Sequence, residues 1–384
     1  MRVLFVTHNF PRRPGDLPGN FILRFARALR ESGVEVHVIA PHASGLAESG
    51  TIDGITVTRF RYAPESRETL AYEGTMAAQV DASLRAKLDL WSMIRAASKE
   101  IRRRVEQVDV VHAHWWFPLG LGATQRALHG RPLITTLHGS DVRFVRSPLA
   151  RKLMRRVMDR TTRVTAVSQW LATEAQRLTD VTNVAVAPMP VEADLFTPSD
   201  APRHGILFVG KLDAQKGAYV LLQALAKMPP TITATIVGDG PDARMLHASA
   251  ATLGVAGRVL WTGALPHKTL LENYRAARLV VAPVTEAEGL GLSAAEAMLC
   301  ETPVIASNLG GLTDLVEDGV TGRLVASSDP AALASAIESA MGSPERLTEW
   351  GKAGRAKVLA RMSPATCAAT YRAIYEEAMR GRKP

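Results

Sequence analysis

The run Gly205-Ile206-Leu207-Phe208-Val209 passes directly into Gly210-Lys211-Leu212-Asp213-Ala214-Gln215-Lys216-Gly217. A short, bulky apolar stretch is what a strand buried on both faces looks like, and the glycine-bounded turn after it carries two ammonium groups. Beyond the turn, Val220-Leu221-Leu222-Gln223-Ala224-Leu225 forms the core of a helix, and Thr233–Val237 reads as the following strand. The same order appears near the start of the chain. Arg2–Val6 is a strand, Pro11–Gly19 a Gly/Pro-rich loop, and a helix runs from about Phe21 to Ser32, where Gly33 stops it before the strand Val34–Ile39. Further strands are expected at Val108–His112 and Leu133–Leu137, and at Val259–Trp261, Leu279–Val281 and Val304–Ala306. Strands alternating with helices predict an α/β protein with parallel sheets covered on both faces, here as two Rossmann-like halves.

A chain of 384 residues is too long for one core of ordinary size. The proline-rich, aperiodic stretch Ala187–Pro198 suits a connection between domains. The expected division is an N-terminal domain over 1–190, a linker over 191–204, a C-terminal domain over 205–364 and a closing helical segment over 365–384. In such a pair, ligands are expected in a cleft opposite the carboxyl ends of the strands.

Composition narrows the class. Hydrophobic residues at 47 % and charged residues at 22 % exclude a disordered chain. Cys300 and Cys367 are far apart and form no paired motif, which fits a reduced, cytoplasmic protein. The apolar start is too short for a signal peptide, and no run is long enough to cross a membrane. The net charge of +9 is lopsided: residues 1–190 hold 27 Lys and Arg against 17 Asp and Glu, and the remainder 19 against 20. Part of the excess lies at Arg95, Lys99 and Arg102–Arg104, and at Arg151, Lys152, Arg155, Arg156, Arg160 and Arg163. These recur at helical spacing beside Leu88, Trp91, Ile94, Leu153 and Val157. Such helices can lie on anionic lipid at the inner face of a membrane, or can be ordinary solvated faces over the core. With aromatics at 5 % and no binding motif, no nucleic-acid partner is expected.

No phosphate loop of the nucleoside triphosphatase type is present, and no GxGxxG follows a strand. Lys211 and Lys216 at a strand-to-helix turn suit a pyrophosphate instead. In Glu286-Ala287-Glu288-Gly289-Leu290-Gly291-Leu292-Ser293-Ala294-Ala295-Glu296, the glycines precede a helix whose first amides can take phosphate oxygens. Glu296, about one turn in, could accept both hydroxyls of a ribose, or simply be placed favourably near a positive helix end. Glu288 could hold sugar hydroxyls. In the first half, His112 and His114 lie on one side of a strand end and two tryptophans follow. They read either as sugar-facing groups or as satisfied interior histidines, and nothing nearby completes a metal set. His138, before Gly139, has the same two readings.

The second half resembles that of the family 4 glycosyltransferases, the retaining enzymes of GT-B fold. Gly210-Lys211 to Lys216-Gly217 is similar to the family's phosphate-binding turn. Glu288 to Glu296 is similar to its paired-glutamate signature, Gly238-Asp239-Gly240-Pro241 to its GDGP-type turn, and Asn308-Leu309-Gly310-Gly311 to its double-glycine loop. In the first half, Val111-His112-Ala113-His114-Trp115-Trp116, His138-Gly139-Ser140-Asp141 and the glycine loop near Gly19 sit where the family's motifs sit. The chain departs in having lysine at Lys211 where arginine is usual, and a single glycine, Gly19, where two are frequent.

The resemblance implies two Rossmann-like domains facing across a cleft, with the closing helix crossing back to the first. It implies that Lys211 and Lys216 neutralise the leaving diphosphate, that Glu296 binds the ribose and that Glu288 positions the transferred sugar. It places Gly238 and the amides of Gly289, Leu290, Gly291 and Leu292 around the nucleotide sugar, Gly19 beside the donor, His114 beside the anomeric carbon, and His138 and Asp141 on the acceptor side. The implied reaction is retaining transfer from a nucleotide-diphosphate sugar, UDP-sugar first and GDP-mannose next. The hydroxyl acceptor would be a lipid-linked or envelope glycan, or a small soluble molecule. Lacking an Asp-x-Asp triplet, the chain is expected to need no metal or other cofactor. A phosphorylase, an epimerase or a non-enzymatic nucleotide-sugar binder could use the same halves, but intact lysine and glutamate sets argue against lost catalysis.

Overall fold

The computed structural model describes residues 1–16, 18–72, 76–124, 128–143, 145 and 147–381. Leu17 of the glycine loop and residues 382–384 of the closing segment lie outside them. The chain forms two units, Met1–Pro190 with Pro364–Pro384, and Val191–Ser363.

In the first unit the strands are β1 (Arg2–Val6), β2 (Glu35–Pro41), β3 (Ser49–Ile52), β4 (Ile55–Phe60), β5 (Val110–His114), β6 (Leu133–Leu137), β7 (Arg163–Ala166) and β8 (Ala185–Val186). They make one sheet in the order β3-β4-β2-β1-β5-β6-β7-β8, parallel throughout except for the β3–β4 hairpin. Alternate residues of a strand face opposite ways, and the sheet uses both sides. Leu4 and Val6 with Val111 and Ala113 pack under the helix Leu84–Arg104, through Met93, Ile94, Ala97 and Ile101. Phe5, His112 and His114 face the other side, where Phe25 of the helix Asn20–Glu31 and Tyr371 of the helix Pro364–Arg380 meet them. The closing helix therefore belongs to the first unit. Strand β5 begins and ends two residues later than expected, so both histidines are strand residues, fully buried.

The second unit holds β9 (His204–Val209), β10 (Ala234–Val237), β11 (Val259–Gly263), β12 (Ala277–Ala282), β13 (Val304–Ser307) and β14 (Gly322–Val325), all parallel, in the order β11-β10-β9-β12-β13-β14. Ile206 and Phe208 of β9 enter one core and Leu207 the other, as a strand covered on both faces requires. The stretch 191–204 is not a free linker. Val191 and Phe196 are fully buried in the second unit's core, Val191 N–H donates to the Met362 carbonyl, and Arg275 binds both the carbonyl and the hydroxyl of Thr197. Its prolines removed periodicity without removing packing.

In each sheet the strand order reverses once, between β1 and β5 and between β9 and β12. Ligands of such sheets gather where the strands end at that reversal. No helix among the described residues is long and apolar enough to cross a membrane.

Candidate functional site

In the second unit, β9 ends at Val209 and the lysine turn follows. Asp213 caps the short Ala214–Lys216 helical turn by accepting the Lys216 N–H at 3.2 Å. Gly217, at φ 72°, comes next, and a Cβ there would lie 1.9 Å from the Pro283 carbonyl oxygen beyond β12. The turn is thus locked against the strand on the far side of the reversal. Thr285 reinforces this by donating its N–H to the Gln215 carbonyl and its hydroxyl to that of Ala214. The result aims the Lys216 ammonium at the Glu288 carboxylate, with which it forms an ion pair. Lys211 stays apart, its side chain 61 % exposed and 3.7 Å from Asp213.

The other glycines of the unit are packing requirements as much as approaches to a ligand. A Cβ on Gly238 would sit 1.9 Å from the Gly210 carbonyl, and one on Gly240 2.3 Å from that of Leu212, so the GDGP turn interlocks with the lysine turn. A Cβ on Gly310 would meet the Glu288 backbone at 2.6 Å and one on Gly311 the Gly289 carbonyl at 2.2 Å, while Gly311 N–H donates to the Glu288 carbonyl at 2.7 Å. The double glycine is what lets the loop carrying Glu288 lie flat. That loop ends at Gly291, left-handed at φ 83°, which starts the helix Leu292–Leu299. Its first amides are free of intrahelical partners, as at every helix start, and they follow Gly289 and Leu290 directly. Glu296 lies beyond the first turn, 6 % exposed, and accepts the Tyr274 hydroxyl at 3.0 Å. Burial beside this carboxylate drives the Tyr274 hydroxyl well above its ordinary pKa. Tyr274 had no sequence signal linking it to Glu296.

In the first unit the reversal brings together the ends of β1, β5 and β6. His112 and His114 share one face of β5, rings stacked at 4.3 Å. His112 is a satisfied interior residue: Tyr375 Oη lies 2.7 Å from Nδ1 and Thr136 Oγ1 2.6 Å from Nε2. His114 differs, for its Nδ1 is 3.1 Å from His138 Nε2 while its own Nε2 is buried without a protein partner. Burial of the three rings, aided by one another, drives all three pKa values well below 6.5 and keeps them uncharged. After His114 the chain turns through Trp115 at φ 67°, a conformation costly for a bulky residue. Its indole donates to Ser140 Oγ and packs at a tilt against His138, ring centroids 4.5 Å apart.

Asp141 holds this turn rather than presenting itself. Its carboxylate accepts the backbone N–H groups of Trp116, His138 and Gly139, and burial raises its pKa to about 6. With its oxygens engaged and 1 % exposure, it is a positioning residue. Gly19, at φ 74°, begins the helix Asn20–Glu31 and lies so close that a Cβ would be 2.6 Å from Asn9 O. The next residue but one, Phe21, packs 5.3 Å from His138. Sequence reasoning missed His8. It lies one residue beyond β1, after Thr7, its ring is 4.5 Å from Trp115, its Nδ1 is buried without a protein partner, and burial lowers its pKa to about 4. The available signal was a polar aromatic at the end of the strand flanking the reversal. Among the described residues, no group of three or more His, Cys, Asp or Glu could hold a metal ion.

Two family models match the chain, Glycosyltransferase Family 4 over residues 19–195 and Glycosyl transferases group 1 over 197–357. A D-inositol 3-phosphate glycosyltransferase of Xylanimonas cellulosilytica is 31 % identical over 388 residues, covering 89 % of each chain. One of Acidothermus cellulolyticus is 33 % identical over 273 residues, and the alignment spans 62 % of this chain and 60 % of that protein. A GDP-mannose-dependent alpha-(1-6)-phosphatidylinositol monomannoside mannosyltransferase of Mycolicibacterium smegmatis is 30 % identical over 62 % of this chain and 70 % of its own. Among solved structures, sucrose-phosphate synthase of Thermosynechococcus elongatus superposes with TM-score 0.82 at 22 % identity over 99 % of this chain and 100 % of that one. Anabaena HepE in complex with UDP-glucose gives 0.74 at 21 % over 98 % and 100 %. Both share the GT-B fold.

Proposed function

The chain belongs to the family 4 glycosyltransferases, and from that premise we propose that it moves a hexosyl group, with retention, from a nucleotide-diphosphate sugar to a hydroxyl of an anionic acceptor. The observation that carries this is the Lys216–Glu288 pair set against the helix-start amides after Gly291, where the second sheet reverses. Breaking the bond from the anomeric carbon to the diphosphate leaves negative charge on the departing oxygen. The Lys216 ammonium, turning from Glu288, and the helix-start amides meet that charge where it develops. Glu288, released when Lys216 turns to the diphosphate, is free to hold hydroxyls of the sugar. Glu296 with Tyr274 forms the ribose end, and Lys211 adds a mobile charge at the rim.

On the acceptor side, His114 and His8 each offer an uncharged, buried ring nitrogen without a protein partner, suited to a hydroxyl. UDP-sugars, the family's commonest donors, come first. GDP-mannose comes next, the donor named for the Mycolicibacterium relative. The positive balance of residues 1–190 and the inositol phosphate in the relatives' names favour a phosphorylated polyol or its lipid-linked form. No resident metal or other cofactor is part of the proposal.

The test is a panel of UDP-, GDP- and ADP-sugars against inositol 3-phosphate, phosphatidylinositol and a crude lipid extract, following nucleoside diphosphate release with and without EDTA. Release with one donor, raised by a phosphorylated acceptor and unaffected by EDTA, is expected. Release that needs free phosphate as the acceptor would make the protein a phosphorylase instead.

A further inference from the structure

The helix Leu84–Arg104 buries one side against the first sheet through Leu90, Met93, Ile94, Ala97 and Ile101. Its opposite side shows Leu84, Leu88 and Trp91 to solvent, at 79 %, 70 % and 58 % exposure. Farther along the same side come Arg95, Lys99 and Arg102, all exposed. Steps of three and four residues keep these six on one narrow stripe of an α-helix. No carboxylate of the helix lies on it. Asp89 is buried and paired with Arg67, and Glu100 is buried and paired with Arg103 and Arg104. An ordinary solvated face mixes charges of both signs and does not expose three large apolar side chains in line.

The stripe has a direction. A helix joining parallel strands runs antiparallel to them, so the Leu84 end lies at the edge where the strands finish, the edge that also carries His8, His114 and His138. The helix Pro148–Met158, which joins β6 to β7, follows the same rule. It brings Leu149, 76 % exposed, to that edge, with exposed Lys152 and Arg156 behind it. Both helices pack on the segment Trp116–Gly120, and both lie on the sheet face that right-handed crossovers assign to connections made after the reversal.

We infer that this face docks on a bilayer containing anionic lipid, with Leu84, Leu88 and Trp91 entering the acyl boundary and Arg95, Lys99 and Arg102 resting over lipid phosphates. An apolar patch alone would suit any partner. Its continuation into unpaired cations with no exposed acid gives it the complement of a negatively charged, apolar-cored surface. Docking of this kind would set the acceptor-side histidines beside the membrane, and it requires nothing of which sugar is transferred.

The test is sedimentation of the full-length protein with vesicles of phosphatidylcholine alone or mixed with phosphatidylglycerol. Two variants accompany it, Leu84→Ser/Leu88→Ser/Trp91→Ser and Arg95→Gln/Lys99→Gln/Arg102→Gln. Every substituted side chain is exposed, so thermal melting checks that each variant folds like the parent. The parent should pellet with the anionic vesicles at low salt, release at high salt and ignore phosphatidylcholine. Each variant should partition roughly tenfold less or weaker still. The inference is overturned if the parent stays in the supernatant at low salt, or if both variants pellet like it. It is overturned equally if ultracentrifugation shows a parent dimer that the apolar variant abolishes, because the stripe would then be covered by a second copy.

Discussion

At Lys216 the ammonium already has a counter-charge, so a diphosphate must compete with Glu288 for it. In the proposed reaction, what the substrate gains there is realised only as charge builds on the leaving oxygen, so the residue raises turnover more than it tightens ground-state binding. Lys216→Ala should therefore lower kcat about a hundredfold or more with little change in melting temperature; steady-state rates beside a thermal melt decide it, and unchanged turnover would remove Lys216 from the site. Gly311→Ala probes the loop from beneath. Its Cβ would push on the Gly289 carbonyl at 2.2 Å, a backbone atom that cannot swing aside. The variant should lose about 1–3 kcal/mol of stability and weaken nucleotide binding, since the Glu288 loop must lift; equal stability and equal affinity would show that the loop tolerates displacement. Lys216, Glu288 and the glycines stand out in the sequence because each lies in a short glycine-bounded segment after a strand, and the fold pairs Lys216 with Glu288 while Lys211 stays apart. The Tyr274–Glu296 bond and the orphan nitrogen of His8 are not legible in the sequence, because each depends on folded neighbours that no local pattern specifies.

Elements show the same contrast. The apolar runs of β1 and β9 announce themselves, as does the helix started by Gly291. Strand β5 extends two residues past the expected end because His112 and His114, polar by composition, have most of their nitrogens satisfied inside the fold by Tyr375, Thr136 and His138. The hairpin β3–β4 has a local signal, Asp53-Gly54 between Ile52 and Ile55, with both turn residues at positive φ. The closing helix Pro364–Arg380 contributes Tyr371 and Tyr375, both fully buried, to the face of the sheet that holds the histidines. Each such side chain is worth roughly 1.5–3 kcal/mol by burial. Truncation after Ser363 should consequently destabilise the first unit and open it to limited proteolysis, while the second unit keeps its protection. Equal resistance of both units to protease would mean the helix is dispensable.

At the scale of the whole molecule, the proposed reaction divides between two doubly wound units, with charge neutralisation assigned to the second and hydroxyl recognition to the first. Alternating strands and helices announce two parallel sheets, so that much of the architecture is legible; the packing of 191–204 into the second core is not, since its prolines hide apolar anchors such as Phe196. The first unit also carries a pH signature. His8, His112, His114 and His138 are held uncharged, with His8 lowered to about 4. Unfolded, they would take up protons near pH 6.5, so the unfolded chain binds more protons and stability falls as pH drops from about 6.5 toward 4. Asp141 works the other way: raised to about 6, its contribution is complete below its ordinary value and is lost as pH rises through 6, which offsets one histidine. Thermal melts across this window should show the decline, and His8→Phe, which keeps the ring against Trp115 without a titrating nitrogen, should make it shallower while the other three histidines keep their share. A flat parent profile would contradict the buried neutral cluster.

The central claim is that the second unit receives a nucleoside diphosphate at Lys216, and calorimetric titration of UDP, GDP and ADP into the parent and Lys216→Ala proteins tests it most directly. One nucleotide should bind the parent in the micromolar range and the variant about tenfold or more weakly. No binding by any of the three, or equal binding by both proteins, would contradict the account.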